Sequence, residues 1–446
     1  MREVFFDDAL PKLVNILLKY ADKTFVEEGV ILRDASGRLS FISRQNEKSE
    51  SERKSFEKAL RSGLRAYSRV DCPIRFAEDS GAQSLLNEHD WLPIEVSGVF
   101  CRVLDRRIVG ADWLGKPKSL ALRPPRIAFA SLKGGVGRST ALAVAAMDLA
   151  QHNQNILVID LDLEAPGLGN LLLQDERLPK FGVVDFLVEN GLGGVKDALL
   201  DCFVGSSGLT MASRGRVDVV PALGERSRRY PENVLPKLAR AMIEDVTDAG
   251  VISVTEQISS MIARIATLAD YDVILIDSRA GLSELAAPAV IGLGASVLLF
   301  GTAQRQTVDG YGALLASLRL LAQRDGALQR DSDWRMAFRP VYAKASMATE
   351  MSELFCGDMY ELYSEYLYDT EQPDEVTDDI LRFSRDDEAA PHWPLVIPFS
   401  QNFIDFDPER FPNHLSQPFY EQVFRVFLNG LDAIIKSGKL DDGPMI

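Results

Sequence analysis

From residue 126 onward, short runs of apolar and often β-branched residues recur along the chain: Ile127–Ala130, Ile156–Ile159, Val217–Val220, Val273–Ile276, Val297–Phe300 and Leu395–Ile397. Runs of this length that are apolar throughout predict strands buried on both faces, and helical stretches separate several of them. The rhythm predicts an α/β fold, a mostly parallel sheet with helices on both faces. The stretch Tyr366–Ala390 breaks it, being acidic and proline-containing, and reads as a solvated surface insertion.

The first quarter of the chain has a different pattern. Leu10–Tyr20 carries apolar residues at helical spacing, and Ser51–Tyr67 reads as a charged helix. Val30–Leu32 and Leu39–Ile42 flank the turn sequence DASGR, which predicts a hairpin, and Val99–Leu104 reads as a further strand. Residues 1–114 are therefore expected to form a small α+β domain, in which no chemical motif is found. Residues 115–125, GKPKSLALRPP, are basic, proline-bearing and aperiodic and read as a linker. Residues 126–446 are expected to form the second domain.

Composition narrows the class. Hydrophobic residues make up 46% of 446, enough for sizeable cores. The net charge of −16, from 65 acidic and 49 basic residues, argues against a protein that coats nucleic acid non-specifically, though not against a local basic patch. One such patch, Arg226, Arg228 and Arg229, reads as a solvated loop. The four cysteines and four histidines are scattered, which fits reduced thiols and no zinc site. The N-terminus lacks the basic start and apolar run of a signal peptide, and no apolar stretch approaches a membrane span, so a cytoplasmic, soluble protein is expected. Phe419, Val423, Phe427, Leu431 and Ile434 recur at helical spacing near the end. With only Arg425 and Lys436 basic there, and Asp441 and Asp442 beyond, this helix is expected to pack on the sheet rather than on a membrane.

The informative segment is IAFASLKGGVGRSTALAVAAMDLA, residues 127–150: a strand, a loop with three glycines, then a helix. Gly134, Gly135 and Gly137 let the backbone around Val136 bend tightly and turn its N–H groups inward, so that loop and helix N-terminus cradle phosphate oxygens. Ser139 sits where a P-loop hydroxyl meets Mg²⁺, and Thr140 follows at the α-phosphate. In ILVIDLDLEAPG a buried strand ends in Asp160, and Asp162, two residues on, points the same way. In YDVILIDSRAGLSE a third strand ends in Asp277. Three strand ends of this kind match the rule that ligands bind at the carboxyl edge of a parallel sheet. Arg279 could contact a phosphate, reach a partner subunit or form a surface ion pair, the last being the favoured reading, and Gly281 could let the following loop move.

KGGVGRST resembles the deviant Walker A motif, KGGxGK[ST], of the ParA/MinD family. The resemblance implies that Lys133 reaches across a dimer interface to the partner's nucleotide. It implies that residue 138, a lysine in the family pattern and arginine here, grips the β- and γ-phosphates. Arginine keeps the charge but is bulkier and planar, so the exchange preserves phosphate binding and weighs against efficient hydrolysis. Leu132 departs from the glycine that many members carry. By the same resemblance Asp160 and Asp277 support Mg²⁺ through water, Asp162 orients the attacking water, and Pro398 and Phe399 neighbour the adenine. The likeness spans residues 126 to 430 and leaves the N-terminal domain uncovered. It implies an ATP-binding, slowly hydrolysing switch that forms an ATP-dependent homodimer, with the N-terminal domain as the part specific to an unknown protein partner. A non-hydrolysing scaffold subunit of a multi-protein, possibly defence, system is the alternative; Arg138 favours it, and the retained Asp160, Asp162 and Asp277 oppose it. Bacterial tyrosine kinases share the motifs, but the tail IIKSGKLDDGPMI has no tyrosine, and no substrate motif of biotin-pathway ligases or amidoligases is present.

Overall fold

The computed structural model describes residues 3–47, 49–121, 123–210, 215–247, 250–369 and 381–440. The middle of the acidic insertion and the tail bearing Asp441 and Asp442 lie outside the described residues. The chain divides into two compact units, Met1–Gly115 together with Arg319–Asp331, and Lys116–Leu318 together with Ser332–Ile446.

The first unit is α+β. Its sheet holds β1 (Val30–Arg33), β2 (Leu39–Ile42), β3 (Ile74–Arg75), β4 (Leu92–Val96) and β5 (Val99–Asp105) in the order β3-β2-β1-β5-β4. The expected hairpin is present as antiparallel β1 and β2. Asp34 fixes its turn, one carboxylate oxygen accepting the Ser36 and Arg38 N–H groups at 3.0 and 2.9 Å. Strand residues alternate between two cores. Ile31, Leu39 and Phe41 pack with α1 (Phe6–Tyr20), α2 (Lys23–Glu28) and α3 (Glu50–Leu64). Val30, Leu32 and Ile42 pack with Trp91, with α4 (Ala82–Leu86) and with Leu328 from the later segment. In the same segment the fully buried Arg324 donates to the Leu114 and Gly115 carbonyls at 2.8 and 3.0 Å.

The second unit is the expected α/β sheet. Its strands are β6 (Arg126–Ser131), β7 (Asn155–Asp160), β8 (Gly205–Ser206), β9 (Arg216–Val220), β12 (Val273–Ala280), β13 (Ser296–Gly301), β14 (Phe338–Ala345) and β15 (Leu395–Pro398); a separate hairpin pairs β10 (Asp245–Thr247) with β11 (Gly250–Ile252). The order is β15-β14-β13-β6-β12-β7-β9-β8, parallel except for β8 on β9. The chain leaves β6 toward β7 and β9 and later fills the opposite side with β13, β14 and β15. The crevice where those directions part therefore lies at the carboxyl end of β6. β14 was not among the expected strands: Arg339 and Pro340 interrupt its apolar pattern, yet it pairs on both sides, with Leu299 of β13 opposite Pro340.

Helices of the second unit are α5 (Arg138–Gln151), α6 (Leu168–Leu172), α7 (Val183–Asn190), α8 (Glu225–Arg229), α9 (Val234–Ala241), α10 (Val254–Ile265), α11 (Arg305–Ala327, whose end from Arg319 groups with the first unit), α12 (Thr349–Tyr366) and α13 (Gln417–Leu440). α5 is apolar almost all round because it lies between the sheet and α13. The final helix covers the sheet through Tyr420, Phe424, Phe427, Leu428, Leu431 and Ile435, a stripe turned slightly from the expected one, with Val423 and Ile434 at its margin. Tyr420 Oη ties it to α5, its one proton shared between Asp148 Oδ1 at 3.0 Å and Gln151 Oε1 at 2.9 Å. On the other face Phe355 of α12 stacks on Tyr342 at 4.8 Å. Among the described residues no helix is long and apolar enough to cross a membrane.

Phe427 is fully buried, its ring 6.3 Å from Phe129 and 6.0 Å from Phe300. Phe427→Ala is expected to cost about 3–5 kcal/mol of stability, read from denaturant unfolding. A loss below about 1 kcal/mol would mean that α13 is not part of the cooperative core.

Candidate functional site: a glycine loop facing three carboxylates

The loop leaving β6 owes its path to two glycines, Gly135 at φ +76° and Gly137 at φ +88°, both left-handed. Gly134 is not left-handed, and a Cβ built there would meet nothing within 4 Å. Neither backbone nor packing asks for glycine at 134, so the bare surface there suits close approach by a ligand. Gly137 is the N-cap of α5, whose first N–H groups lack intrahelical partners and face the same side.

Beside the loop lies a cavity of about 340 Å³ lined by Gly135, Val136, Gly137 and Thr140 and, from β15 onward, by Ile397, Pro398, Phe399, Phe403 and Phe424. Pro398 and Phe399 thus share one hollow with the glycine loop. Lys344 and Ser400 are its polar wall. Lys344, at φ +52° on a bulge at the end of β14, was missed by sequence reasoning, since nothing in FRPVYAKA marks a site.

The parallel register sets Asp160 of β7 directly beside Asp277 of β12. Both are buried. Asp160 accepts backbone N–H groups on both oxygens, from Asp162 at 3.1 Å on one and from Gly167 and Leu168 at 3.3 and 3.2 Å on the other. Burial first, and then the Asp277 charge, push the Asp160 carboxyl up to about 8. Burial also holds Asp277 above the usual carboxylate range, although Arg138 and the Ser139 hydroxyl pull it back.

Arg138 turns inward, 7% exposed, and binds three partners. Its Nε donates to Asp277 Oδ1, its Nη1 to Ser131 Oγ at 3.0 Å and its Nη2 to Asp162 Oδ2 at 2.8 Å. Burial opposes its charge, but Asp277 and Asp162 outweigh that and hold the guanidinium above its ordinary value. Ser139 Oγ donates to the other oxygen of Asp277 at 2.7 Å. Ser139 and Asp277 therefore converge at the loop mouth, and this pair fits a hydrated divalent cation, which needs only one or two protein oxygens beside phosphate. Among the described residues no three His, Cys, Asp or Glu side chains form a metal cage.

Lys133 is exposed and makes no hydrogen bond or ion pair among the described residues. Arg279 pairs with Glu164 and stands 3.8 Å from Asp162 Oδ1. The loops are tied to one another by backbone bonds, Leu161 N–H to the Asp277 carbonyl at 2.9 Å and Gly281 N–H to the Ser131 carbonyl at 2.8 Å. Arg305, at the start of α11, is exposed and lies 3.6 Å from Asp309. In the basic cluster Arg228 binds Asp175 and Asn170, while Arg226 and Arg229 lie over the Tyr230 ring.

No family model and no curated protein matches the chain. Among solved structures it is similar to a plasmid partition protein from Borrelia burgdorferi, at 18% identity over 69% of this chain and 99% of that one, with a TM-score of 0.36. It is similar to a ParA family ATPase from Chlorobium tepidum, at 16% identity over 68% and 98%, with a TM-score of 0.40. It is also similar to the MinD cell division protein of Aquifex aeolicus, at 17% identity over 72% and 99%, with a TM-score of 0.42. The chain resembles ParA and MinD proteins.

The raised carboxyl of Asp160 makes stability depend on pH. Between its ordinary value of 3.8 and about 8 the folded chain holds a proton that the unfolded chain has released. Stability from this group is full below that window and is lost as pH rises through it. Denaturant unfolding at pH 5 and pH 8 should show the fall, and Asp160→Asn should flatten it. An equal slope in wild type and variant would rule Asp160 out as its source.

Proposed function

We propose that this protein binds ATP with Mg²⁺ at the glycine loop, hydrolyses it slowly, and uses the two nucleotide states as a switch. The observation that supports this most is the convergence on one crevice of three features: a left-handed glycine loop at a helix N-terminus, a hydroxyl–carboxylate pair, and an apolar hollow large enough for a base. The β-phosphate would lie over Gly134–Gly137 and the α-phosphate beside Thr140, with the adenine against Pro398 and Phe399. Ser139 and Asp277 would hold Mg²⁺, which compensates phosphate charge when bound. Asp160 keeps the loop after β7 in place through its three backbone bonds. Asp162, aimed at the same mouth, would orient water for attack, and Arg138 would bind the terminal phosphate.

The free, exposed Lys133 supports a second step in which two copies meet face to face and each lysine reaches the other's nucleotide. The first unit would carry partner recognition, in the cytoplasm, and the partner would be a protein. A second reading, binding without turnover, is favoured by one observation: Arg138 already holds Asp162, the residue that would direct water.

Three measurements test this. Titration with a fluorescent ATP analogue should show binding that Gly137→Val weakens by roughly a hundredfold, because a β-branched residue resists left-handed backbone. Light scattering should show Mg·ATP doubling the mass of wild type but not of Lys133→Ala. Phosphate release then decides between the readings, since a bound nucleotide with no release leaves only the scaffold. Absence of nucleotide binding at millimolar ATP would overturn both.

A further inference from the structure

The three contacts of Arg138 do more than decorate the loop. Asp277 and Asp162 are both buried, and burial of an unpaired carboxylate is expensive. Their compensating charge comes from within the chain: one planar guanidinium spans both carboxylates and the Ser131 hydroxyl, each from a different nitrogen. A lysine has a single nitrogen and reaches such a set less completely. The remaining oxygen of Asp277 is taken by Ser139, and the remaining oxygen of Asp162 has Arg279 at 3.8 Å and no hydrogen bond among the described residues. The oxygens that would serve a divalent cation are thus already neutralised by a cation that belongs to the protein.

We infer that Arg138 is a built-in counter-ion that keeps divalent metal out of the site until phosphate draws the guanidinium away. In the resting chain it holds Asp277 and Asp162 together and binds the loop after β6 to the ends of β7 and β12. A phosphate group on the glycine loop offers the guanidinium a competing bidentate partner. When Arg138 turns to it, Asp277 and Asp162 are released at the same moment, one toward metal and the other toward water. Metal entry is therefore ordered after nucleotide. The ordering rests on the nucleotide reading, but the exclusion of metal by Arg138 does not.

The test uses metal alone, on the full-length chain without nucleotide. Thermal unfolding is followed with and without millimolar Mg²⁺, and Mn²⁺ binding is measured by electron paramagnetic resonance. Wild type should neither shift its melting temperature nor bind Mn²⁺. Arg138→Gln should melt lower than wild type without metal and recover by roughly 3 °C or more with it. Adding Asp277→Asn to that variant should abolish the recovery, which separates the site from general screening of an acidic protein. If Arg138→Gln does not fold, Arg138→Lys goes through the same titration and should show a smaller gain in the same direction. The inference fails if wild type responds to metal as strongly as the Arg138 variants, or if neither responds. Because no ATP is present, failure here leaves the nucleotide reading standing, and failure of ATP binding leaves this result standing.

Discussion

Parallel pairing puts residues at the same height on neighbouring strands, and here that rule places Asp160 and Asp277 side by side in a buried position. Two adjacent buried carboxylates cannot readily both carry full charge. The surroundings answer this in two ways. Asp160 retains its proton and gathers backbone amides, which shapes the loop after β7. Asp277, raised by burial, is drawn back by a guanidinium and a hydroxyl from the start of α5. Loop, helix and strand ends are therefore parts of one electrostatic solution rather than three separate motifs.

Seen this way, exchanging lysine for arginine at position 138 is not a conservative detail. A lysine ammonium is a point charge on a flexible stem, whereas the guanidinium is a plate with donors along several edges. The plate couples β6, the loop after β7, and β12 through Ser131, Asp162 and Asp277, and Arg279 adds a second link from β12 to Glu164. A site held in this manner is organised before any ligand reaches it.

The buried strands and the glycine loop were legible in the sequence because each is a local pattern: an apolar run, a glycine spacing, an acid closing a strand. β14 was not, since Pro340 and Arg339 break the pattern that its neighbours restore through packing and through Arg339 contacts with the Ala389 and Trp393 carbonyls. The inward turn of Arg138 was also hidden. Two of its partners, Asp162 and Asp277, lie 24 and 139 residues further along the chain, and their meeting with it depends on strand order, which no local window records. Lys344 escaped for the same reason, because its place beside the glycine loop follows from β14 lying next to β15. The face of α13 could be read only to within part of a turn, because helical spacing gives a stripe but not the neighbour it meets.

The segment Arg319–Asp331 bears on how the chain is made. It groups with the first unit, where Leu328 joins the core around Trp91 and Arg324 closes on the Leu114 and Gly115 carbonyls. On the ribosome, residues 1–115 emerge long before that segment does. The first unit lacks Leu328 beside Trp91, and Arg324 on the Leu114 and Gly115 carbonyls, while β6, β7, β9, β12 and β13 are synthesised. Domains usually finish in the order in which they leave the ribosome. Here the earlier one is completed only after most of the later one exists, so the two halves of the protein mature together.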